Sequence, residues 1–424
     1  MYMDNSFELI QKFDPEIADL TTEEEQRQLH TLCLIASENY ASPLTIGMEG
    51  TVWANKNAEG YPGRRFAGGC ELADRIEQIA IARCKQVFGC EHVNIQSMSS
   101  TLANVAVLRA MLQPGDTILS MELDQGGHLS HGAKFHYSGK MYNVVQYGLN
   151  PETETIDMEQ VERLAKEHRP KMIICGTSSY PKKVDYKRFG EIAREVGAYL
   201  MADIAHPVGL IAGGVIPSPV PYCDVVTTST HKTFRGPRGC GIIMCREEFG
   251  RKIDSAVFPG MQGAPKMDMI ASRAVLFKEC LTPEYRAYQQ AVADNAVALA
   301  DELRSCGLRL VSGGTETHLV LVDVRGLIEN GRMAEDVLHS VNIVTNKNMI
   351  PFDPLPANLA SGIRIGSPAL TSRGFHEADM RETAQLLARA LKHANDPAVL
   401  ADVKTAVIAK AEQYPMFADK WISK

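Results

Sequence analysis

The hydrophobic positions in the first two-thirds of the chain alternate between helical and strand spacing. In residues 71–89, apolar side chains recur every three or four positions and Gly89 supplies a stop signal, which predicts an amphipathic helix. The same spacing predicts helices over 101–112 and 185–196. Short apolar and β-branched runs predict strands over 117–121, 171–175, 199–201, 224–228 and 241–245. This alternation indicates an α/β fold with a mainly parallel sheet covered by helices on both faces.

The last third of the chain has a different pattern. A long helical stretch over 265–306 precedes a strand over 319–324 and two helices over 377–394 and 402–413. Because one core rarely serves more than about 250–300 residues, we expect two lobes in a chain of 424 residues. The predicted domains are an N-terminal arm over 1–50, a large domain over 51–280 and a smaller α+β domain over 281–424.

Composition narrows the class of protein. The formal net charge of −7 argues against nucleic acid as a partner, because phosphate backbones select positive surfaces. No apolar run approaches the ~18 residues of a membrane span, and residues 1–8 lack a basic and apolar leader. The ten cysteines form no CxxC pair. We therefore expect a small-molecule enzyme of the reducing cytoplasm that has no membrane partner.

Lys232 lies just after the strand predicted at 224–228, in a segment rich in hydroxyl groups. Ligands bind at the carboxyl ends of strands in open α/β sheets, and a desolvated lysine there is nucleophilic toward an aldehyde. An ordinary solvated lysine is the alternative. Asp203, which follows the preceding predicted strand, favours the first interpretation, since the ring nitrogen of pyridoxal 5′-phosphate (PLP) stays protonated beside a buried carboxylate. Asp203 would otherwise cap the next segment.

Further candidates flank these two residues. Ser99 and Ser100 precede a predicted helix, where hydroxyl and free N–H groups would meet a phosphate; a plain serine cap is the alternative. His128 follows two glycines, and a ring stacked on a planar cofactor is the better role for it. The spacing of His128 and His131 is also seen in metal sites, but no third ligand is nearby in sequence, so no metal site is predicted.

Two charged residues complete the set of candidates. Glu59 lies in a turn-rich stretch, where its carboxyl group would either carry a proton or pair with Arg64 or Arg65. Arg364 lies within an apolar run, where a guanidinium needs an anion. An amino-acid carboxylate suits its fork, and an internal ion pair with Asp or Glu is the alternative.

Together these segments resemble the serine hydroxymethyltransferase family, which uses PLP and has the aspartate-aminotransferase fold (PLP-dependent transferase fold type I). The similar stretches include 36–39, 58–65, 126–129, 230–233, 236–239, 255–260, 312–315 and 361–366. The resemblance implies a large domain with a mainly parallel seven-stranded sheet. It also implies an amino-acid substrate, tetrahydrofolate as a possible cosubstrate, and a homodimer or tetramer with shared active sites.

The resemblance also implies residue roles by position. The implied catalytic residues are Lys232, which would form the Schiff base, Glu59, His128, Asp203 and His231. The implied cofactor contacts are Ser99, Ser100, His128, Ser178, Asp203, His206, Lys232 and Gly263. Ser37 and Arg364 would bind the substrate carboxylate, whereas Leu123, Gly127 and Leu129 match positions that contact folate. Glu59 and Gly263 would act in the site of the neighbouring subunit.

The sequence departs from the family pattern near these positions. Asn57, Phe66 and Ala67 stand where the family has tyrosines, and Phe352 replaces an asparagine that contacts the pterin. Further departures are Ser97-Met98-Ser99-Ser100-Thr101 in place of Pro-His-Ser-Gly-Ser, and Gly263-Ala264-Pro265 in place of Gly-Gly-Pro.

These departures leave two functions open. One is a hydroxymethyltransferase that interconverts serine, or a related β-hydroxy-α-amino acid, and glycine with tetrahydrofolate. The other is a folate-independent aldolase or transaldolase that acts on another β-hydroxy-α-amino acid. A third alternative, a paralogue that binds PLP without turnover, is disfavoured because Lys232, Asp203, His128 and Arg364 are retained together.

Overall fold

The computed structural model describes residues 6–416. The helices are α1 Ser6–Phe13, α2 Pro15–Leu29, α3 Pro43–Glu49, α4 Glu71–Phe88, α5 Ser100–Met111, α6 Tyr137–Met141, α7 Met158–His168, α8 Tyr186–Val196, α9 Val208–Ala212, α10 Glu247–Val257, α11 Met267–Cys280, α12 Pro283–Ser305, α13 Gly331–Ser340, α14 Pro368–Arg373, α15 Glu377–Lys392 and α16 Pro397–Glu412. The strands are β1 Leu32–Cys33, β2 Gly60–Tyr61, β3 Arg64–Arg65, β4 His92–Asn94, β5 Thr117–Met121, β6 Asn143–Tyr147, β7 Met172–Gly176, β8 Tyr199–Asp203, β9 Val225–Ser229, β10 Gly241–Cys245, β11 Arg309–Leu310, β12 Leu319–Asp323, β13 Ile343–Val344, β14 Asn346–Asn348 and β15 Gly362–Gly366.

The α/β class is confirmed, and the central sheet is mixed. Its strand order is β4-β10-β9-β8-β7-β5-β6. The pairs from β9 through β8, β7 and β5 to β6 are parallel, whereas β10 runs antiparallel to both β9 and β4. Apolar cores form around this sheet, one of them including Ile173, Leu200 and Val226 and another Ile174, Met201 and Val225. Because β7, β8 and β9 are parallel neighbours, their carboxyl ends lie side by side.

A second, antiparallel sheet has the order β11-β12-β15-β14. Its core joins strand residues such as Val320 and Ile363 to helical residues such as Leu387 and Leu303. The N-terminal segment attaches here, because β1 pairs in parallel with β13. Strand β15 matters for the site, since it carries Arg364 opposite Leu321 of β12.

Two of the predicted helices have different bounds. The stretch 265–306 is two helices, because Thr282 caps α12 through its side chain and Pro283 occupies the first helical position. Helix α16 begins at Pro397 and not at residue 402, since Asp396 accepts hydrogen bonds from the first turn.

In the central sheet, strands β4 and β6 were not predicted. β4 has three residues, and the residues of β6 are mostly half-buried or exposed, so neither forms the continuous apolar run of a central strand. Across residues 6–416, no helix combines the length and apolar character that crossing a membrane requires. Within the segment inspected for a leader, residues 1–5 lie outside the described part of the chain.

Candidate active site

A cavity of about 390 Å³ lies at the carboxyl ends of β7, β8 and β9. Asp203 ends β8, Ser178 follows β7, and Lys232 follows β9, so three neighbouring strands deliver three side chains to one space. The lining residues are Ser37, Ser99, Ser100, Thr101, His128, Thr177, Ser178, Asp203, Ala205, His206, Ser229, His231, Lys232, Arg238 and Arg364.

Lys232 is half-buried on the wall of this cavity. Burial lowers the pKa of Lys232 to about 8, and the charges of Arg364 and Arg238 act in the same direction, against the opposing Asp203 carboxylate. About a tenth of its amine is therefore neutral at pH 7, far more than for a lysine in water. This is the state that an amine nucleophile requires, and it disfavours the alternative of an ordinary solvated lysine.

Asp203 is buried and hydrogen-bonded through both carboxylate oxygens. Its Oδ2 accepts from Asn104 Nδ2 at 2.7 Å and lies 3.0 Å from His131 Nε2, and its Oδ1 accepts from the Ala205 amide at 3.0 Å. Burial alone would raise the pKa of Asp203, but the hydrogen bonds with His131 and Asn104 hold it below its usual range. The cavity therefore has an ionised carboxylate in its wall, which suits a protonated ring nitrogen.

The amino end of α5 fits a phosphate. The Ser99 hydroxyl caps the helix by accepting from the Leu102 amide at 3.1 Å, as the alternative of a serine cap required. The neighbouring Ser100 Oγ is buried without a hydrogen-bond partner in residues 6–416. An unpaired hydroxyl beside the free N–H groups of a helix terminus leaves donors for an anionic group.

Arg364 reaches the cavity from β15 without an acidic partner. Its Nη1 donates to the Ser178 carbonyl at 2.7 Å and its Nη2 donates to Asn346 Oδ1 at 3.2 Å. The Nε is buried and unpaired, and within residues 6–416 no ion pair to Asp or Glu forms. Burial lowers the pKa of Arg364 to about 10. The alternative of an internal ion pair is therefore wrong, and the guanidinium can take an external carboxylate.

The histidines around the cavity are neutral. Burial lowers the pKa of His128 to about 4 and that of His231 to about 3. His128 Nδ1 is 2.7 Å from Ser130 Oγ, which fixes the orientation of its ring. His206 is buried, and its Nδ1 is 3.2 Å from Nε2 of His318. Neutral rings can stack or share hydrogen bonds without adding charge near Lys232.

In the fold, a third potential metal-ligating group lies beside His128 and His131, although none is near them in the sequence. Ligand-type atoms of His128, His131 and Asp203 lie within 4.8 Å of one another. His128 and Asp203 of this cluster line the cavity described above, whereas His131 is buried and hydrogen-bonded to Asp203.

Comparison with known proteins identifies the family. A family model described as serine hydroxymethyltransferase matches residues 10–387. A serine hydroxymethyltransferase from Myxococcus xanthus (strain DK1622) is 52% identical over 407 residues, which cover 96% of this chain and 97% of the relative. The chain belongs to the serine hydroxymethyltransferase family. The resemblance inferred from the sequence motifs is thereby confirmed.

Other residues implied by the serine hydroxymethyltransferase pattern do not line this cavity. Glu59 and Gly263 lie close together elsewhere, since a side chain at Gly263 would begin 3.7 Å from Glu59 Oε1. Leu123, Gly127 and Leu129 flank His128 in the loop after β5, and Leu129 is exposed. The cavity within one chain thus contains the residues assigned to cofactor and carboxylate except Gly263, and it contains neither Glu59 nor the folate positions.

Some functional neighbours were missed by sequence reasoning. Arg238 and Thr101 line the cavity, and Arg238 belongs to the Gly-Pro-Arg-Gly motif that the sequence had already marked. Asn104 and His318 do not line the cavity, but they contact two residues that do, Asp203 and His206 respectively. Neither has a local signal, because each meets its partner across about a hundred residues of sequence.

Proposed function

We propose that this chain interconverts serine, or a related β-hydroxy-α-amino acid, and glycine by cleaving and forming the Cα–Cβ bond. PLP would be its cofactor and tetrahydrofolate the one-carbon acceptor. Family membership supports the reaction class. The observation that carries the proposal is Arg364, a guanidinium without an acidic partner that shares a cavity with the nucleophilic amine of Lys232.

The residues of the cavity fit PLP. When bound, PLP supplies an electron sink for the bond that breaks. Lys232 would hold the cofactor aldehyde through its Nζ, which is partly neutral because burial lowers its pKa to about 8. Asp203 would keep a proton on the ring nitrogen, since its carboxylate is ionised and buried. Ser100 Oγ and the amino end of α5 would bind the phosphate.

The remaining cavity residues would orient the reacting groups. His128, held by Ser130, would cover one face of the cofactor ring. Ser178 and His206 would contact the cofactor or substrate, and His231 would lie beside the lysine. Arg364 and Ser37 would bind the substrate carboxylate. Two fixed contacts with the carboxylate would orient the substrate and thereby align its Cα–Cβ bond.

A second copy of the chain would complete the site. Glu59 and Gly263 lie outside the cavity, and Phe66, whose amide donates to the Glu59 carbonyl, has 76% of its surface exposed while packing edge-on against Phe258. We propose a homodimer or tetramer in which Glu59 handles protons in the partner's cavity. The predicted domain bounds, 1–50, 51–280 and 281–424, are retained as part of this proposal.

A folate-independent aldolase or transaldolase is the second candidate. Ala67 and Phe352 replace a tyrosine and a pterin-contacting asparagine of the family pattern, which removes polar groups near the expected folate and substrate positions. Phe352 also has 51% of its surface exposed. A larger, less polar acceptor than tetrahydrofolate would suit these changes.

The test compares the two functions on one preparation. The purified protein, loaded with PLP, is supplied with serine in the presence and absence of tetrahydrofolate, and glycine is quantified. Glycine formation that requires tetrahydrofolate supports the first proposal, whereas turnover of β-hydroxy-α-amino acids to free aldehydes without it supports the second. Lys232→Ala, which removes the amine, is the control and is expected to abolish both activities and the absorbance of the lysine-bound cofactor.

A further inference from the structure

His318 contacts His206 across the cleft between the two sheets. His206 follows β8 of the central sheet, and His318 directly precedes β12 of the second sheet. His206 Nδ1 lies 3.2 Å from His318 Nε2, and the rings stack at 5.4 Å with an interplanar angle of 24°. Only 4% of His206 and 1% of His318 is exposed. Two buried imidazoles in hydrogen-bonding contact are an arrangement that packing alone does not require.

Both rings are neutral, which determines the kind of hydrogen bond that they can form with each other. Burial lowers the pKa of His206 well below its usual range, and Lys232 and Arg364 add to this effect. Burial likewise lowers the pKa of His318 to about 3, against the opposing influence of the Ala36 backbone. In a hydrogen bond between two neutral imidazoles, one nitrogen donates and the other accepts. The tautomer of one ring therefore fixes the tautomer of the other.

The His206 ring makes a single hydrogen bond that can fix its orientation. Thr233 Oγ1 donates to the backbone carbonyl of His206 at 2.6 Å, a contact that does not involve the ring. Within residues 6–416, the bond to His318 is the one hydrogen bond that the His206 ring makes. The backbone of His318 is held to the second sheet, because its carbonyl accepts from the Ser367 amide just beyond β15, and only 1% of the residue is exposed.

We propose that His318 is a positioning residue that fixes the ring orientation and tautomer of His206. It thereby decides whether the remaining nitrogen of His206, Nε2, presents a proton or a lone pair to the bound cofactor and substrate. This inference rests on the proposed function, in which His206 contacts the cofactor or substrate. It also links the cavity to the strand pair that carries Arg364, since β12 and β15 are hydrogen-bonded neighbours.

Two variants of the full-length protein separate a hydrogen-bonding role from a packing role. His318→Phe keeps a flat ring for stacking but removes both nitrogens. His318→Gln removes the ring but keeps a donor and an acceptor on a side chain of similar reach. We expect the dissociation constant of PLP, from absorbance titration of the cofactor-free protein, to rise about tenfold in His318→Phe, as for one lost hydrogen bond. In His318→Gln it stays within about twofold of the unmodified protein.

Nitrogen NMR of ring-labelled histidine supplies a readout that a structural role would not move. The His206 signals, assigned by their loss in His206→Asn, are expected to report one tautomer in the unmodified protein and in His318→Gln, and a mixture in His318→Phe. A scalar coupling between the two facing nitrogens is expected in the unmodified protein. These measurements use the cofactor-free chain and do not depend on turnover.

Each possible result either supports or overturns the inference about His318. Unchanged PLP affinity and one tautomer in His318→Phe would overturn the inference, as would equal damage in both variants, which would assign the role to the ring itself. A mixture of His206 tautomers in the unmodified protein would overturn it even if His318→Phe failed to fold. Failure of the unmodified protein to bind PLP would instead refute the proposed function, while the nitrogen spectra would still test the coupling of the two rings.

Discussion

The guanidinium of Arg65 lies 2.6 Å from the carboxylate of Glu77, and only 4% and 1% of the two side chains are exposed. The same guanidinium donates to the carbonyl oxygens of Ala58 and Gly60, at 2.7 and 2.6 Å. These residues are the two neighbours of Glu59. The buried ion pair therefore fixes the turn that presents the Glu59 carboxyl group, and neither alternative drawn from the sequence, a proton carrier or an arginine partner, had included this arrangement.

Removing Arg65 tests how much this ion pair stabilises the fold. Arg65→Leu would leave the Glu77 carboxylate buried without its partner, so we expect the free energy of unfolding in urea to fall by about 3–5 kcal/mol. Arg163→Leu is the matched control, since Arg163 and Glu167 form an exposed pair and its loss should cost less than about 1 kcal/mol. Equal effects in the two variants would contradict the role assigned to Arg65.

The pKa of Lys232 predicts how the protein takes up its cofactor. The amine reacts as the neutral form, and burial lowers its pKa from 10.5 to about 8. The rate of PLP loading, followed by stopped-flow absorbance, should therefore rise about tenfold per pH unit below this pKa and level off above it. A rate that continues to rise toward the ordinary lysine pKa would show that Lys232 is not desolvated.

The inner strands of the central sheet could be predicted because they are locally marked. The bounds of β5 and β10 match the predicted ranges, since each is an apolar run that turn residues or glycine delimit. The break between α11 and α12 was missed although its signals, Thr282 and Pro283, are also local. Because the apolar residues keep helical spacing on both sides of the break, the cap formed by the Thr282 side chain was not recognised.

The candidate site likewise contains residues that the sequence pattern could place and residues that it could not. Lys232 and Asp203 follow predicted strands, and a parallel sheet brings consecutive strand ends together, so their proximity follows from the pattern. The unpaired state of Arg364 could not be predicted, because it depends on which acids the folded chain leaves out of reach. The contacts of Asn104 and His318 depend on tertiary packing between distant segments in the same way.

The fork of Arg364 predicts a specific kinetic defect. Arg364→Lys keeps the charge but loses the bidentate geometry, so the KM for serine should rise about tenfold to a hundredfold, as for one charged hydrogen bond. PLP absorbance should be unchanged, because Arg364 is assigned to the substrate. Arg325→Lys is the control, since that half-exposed residue pairs with Asp323 and should leave KM unaltered. A defect confined to PLP binding would contradict the assignment.

Asn104 predicts a pH-dependent loss of stability. It is fully buried, its Nδ2 donates to Asp203 at 2.7 Å, and its Oδ1 accepts from Thr227 at 2.6 Å. Asn104→Asp would set two carboxylates against each other, and they would share a proton with a raised pKa. The folded variant would then bind more protons than the unfolded chain, so its stability should fall as pH rises from about 5.5 to about 8.

The expected loss of stability is about 1.4 kcal/mol for each unit by which the shared pKa is raised. It is measured by urea unfolding of the cofactor-free protein at the two ends of this pH range. Asn104→Ala provides the control, because it removes the same hydrogen bonds without adding a titrating group. Its loss of stability should be the same at both pH values. If Asn104→Asp lost the same stability at both pH values, the carboxylate of Asp203 would not be ionised in the fold.

Phe352 has a left-handed backbone conformation, with φ 57°, and half of its side-chain surface is exposed. An aromatic residue is strained there, whereas asparagine tolerates this region, so Phe352→Asn should raise the free energy of unfolding by about 1 kcal/mol. Under the folate-dependent function, the same change restores the polar group of the family pattern and should lower the KM for tetrahydrofolate. Phe352→Ala is the control, since it removes the ring but keeps a side chain that disfavours positive φ. Stabilisation by asparagine with no change in tetrahydrofolate KM would separate the backbone effect from folate binding and show that residue 352 does not contact the folate.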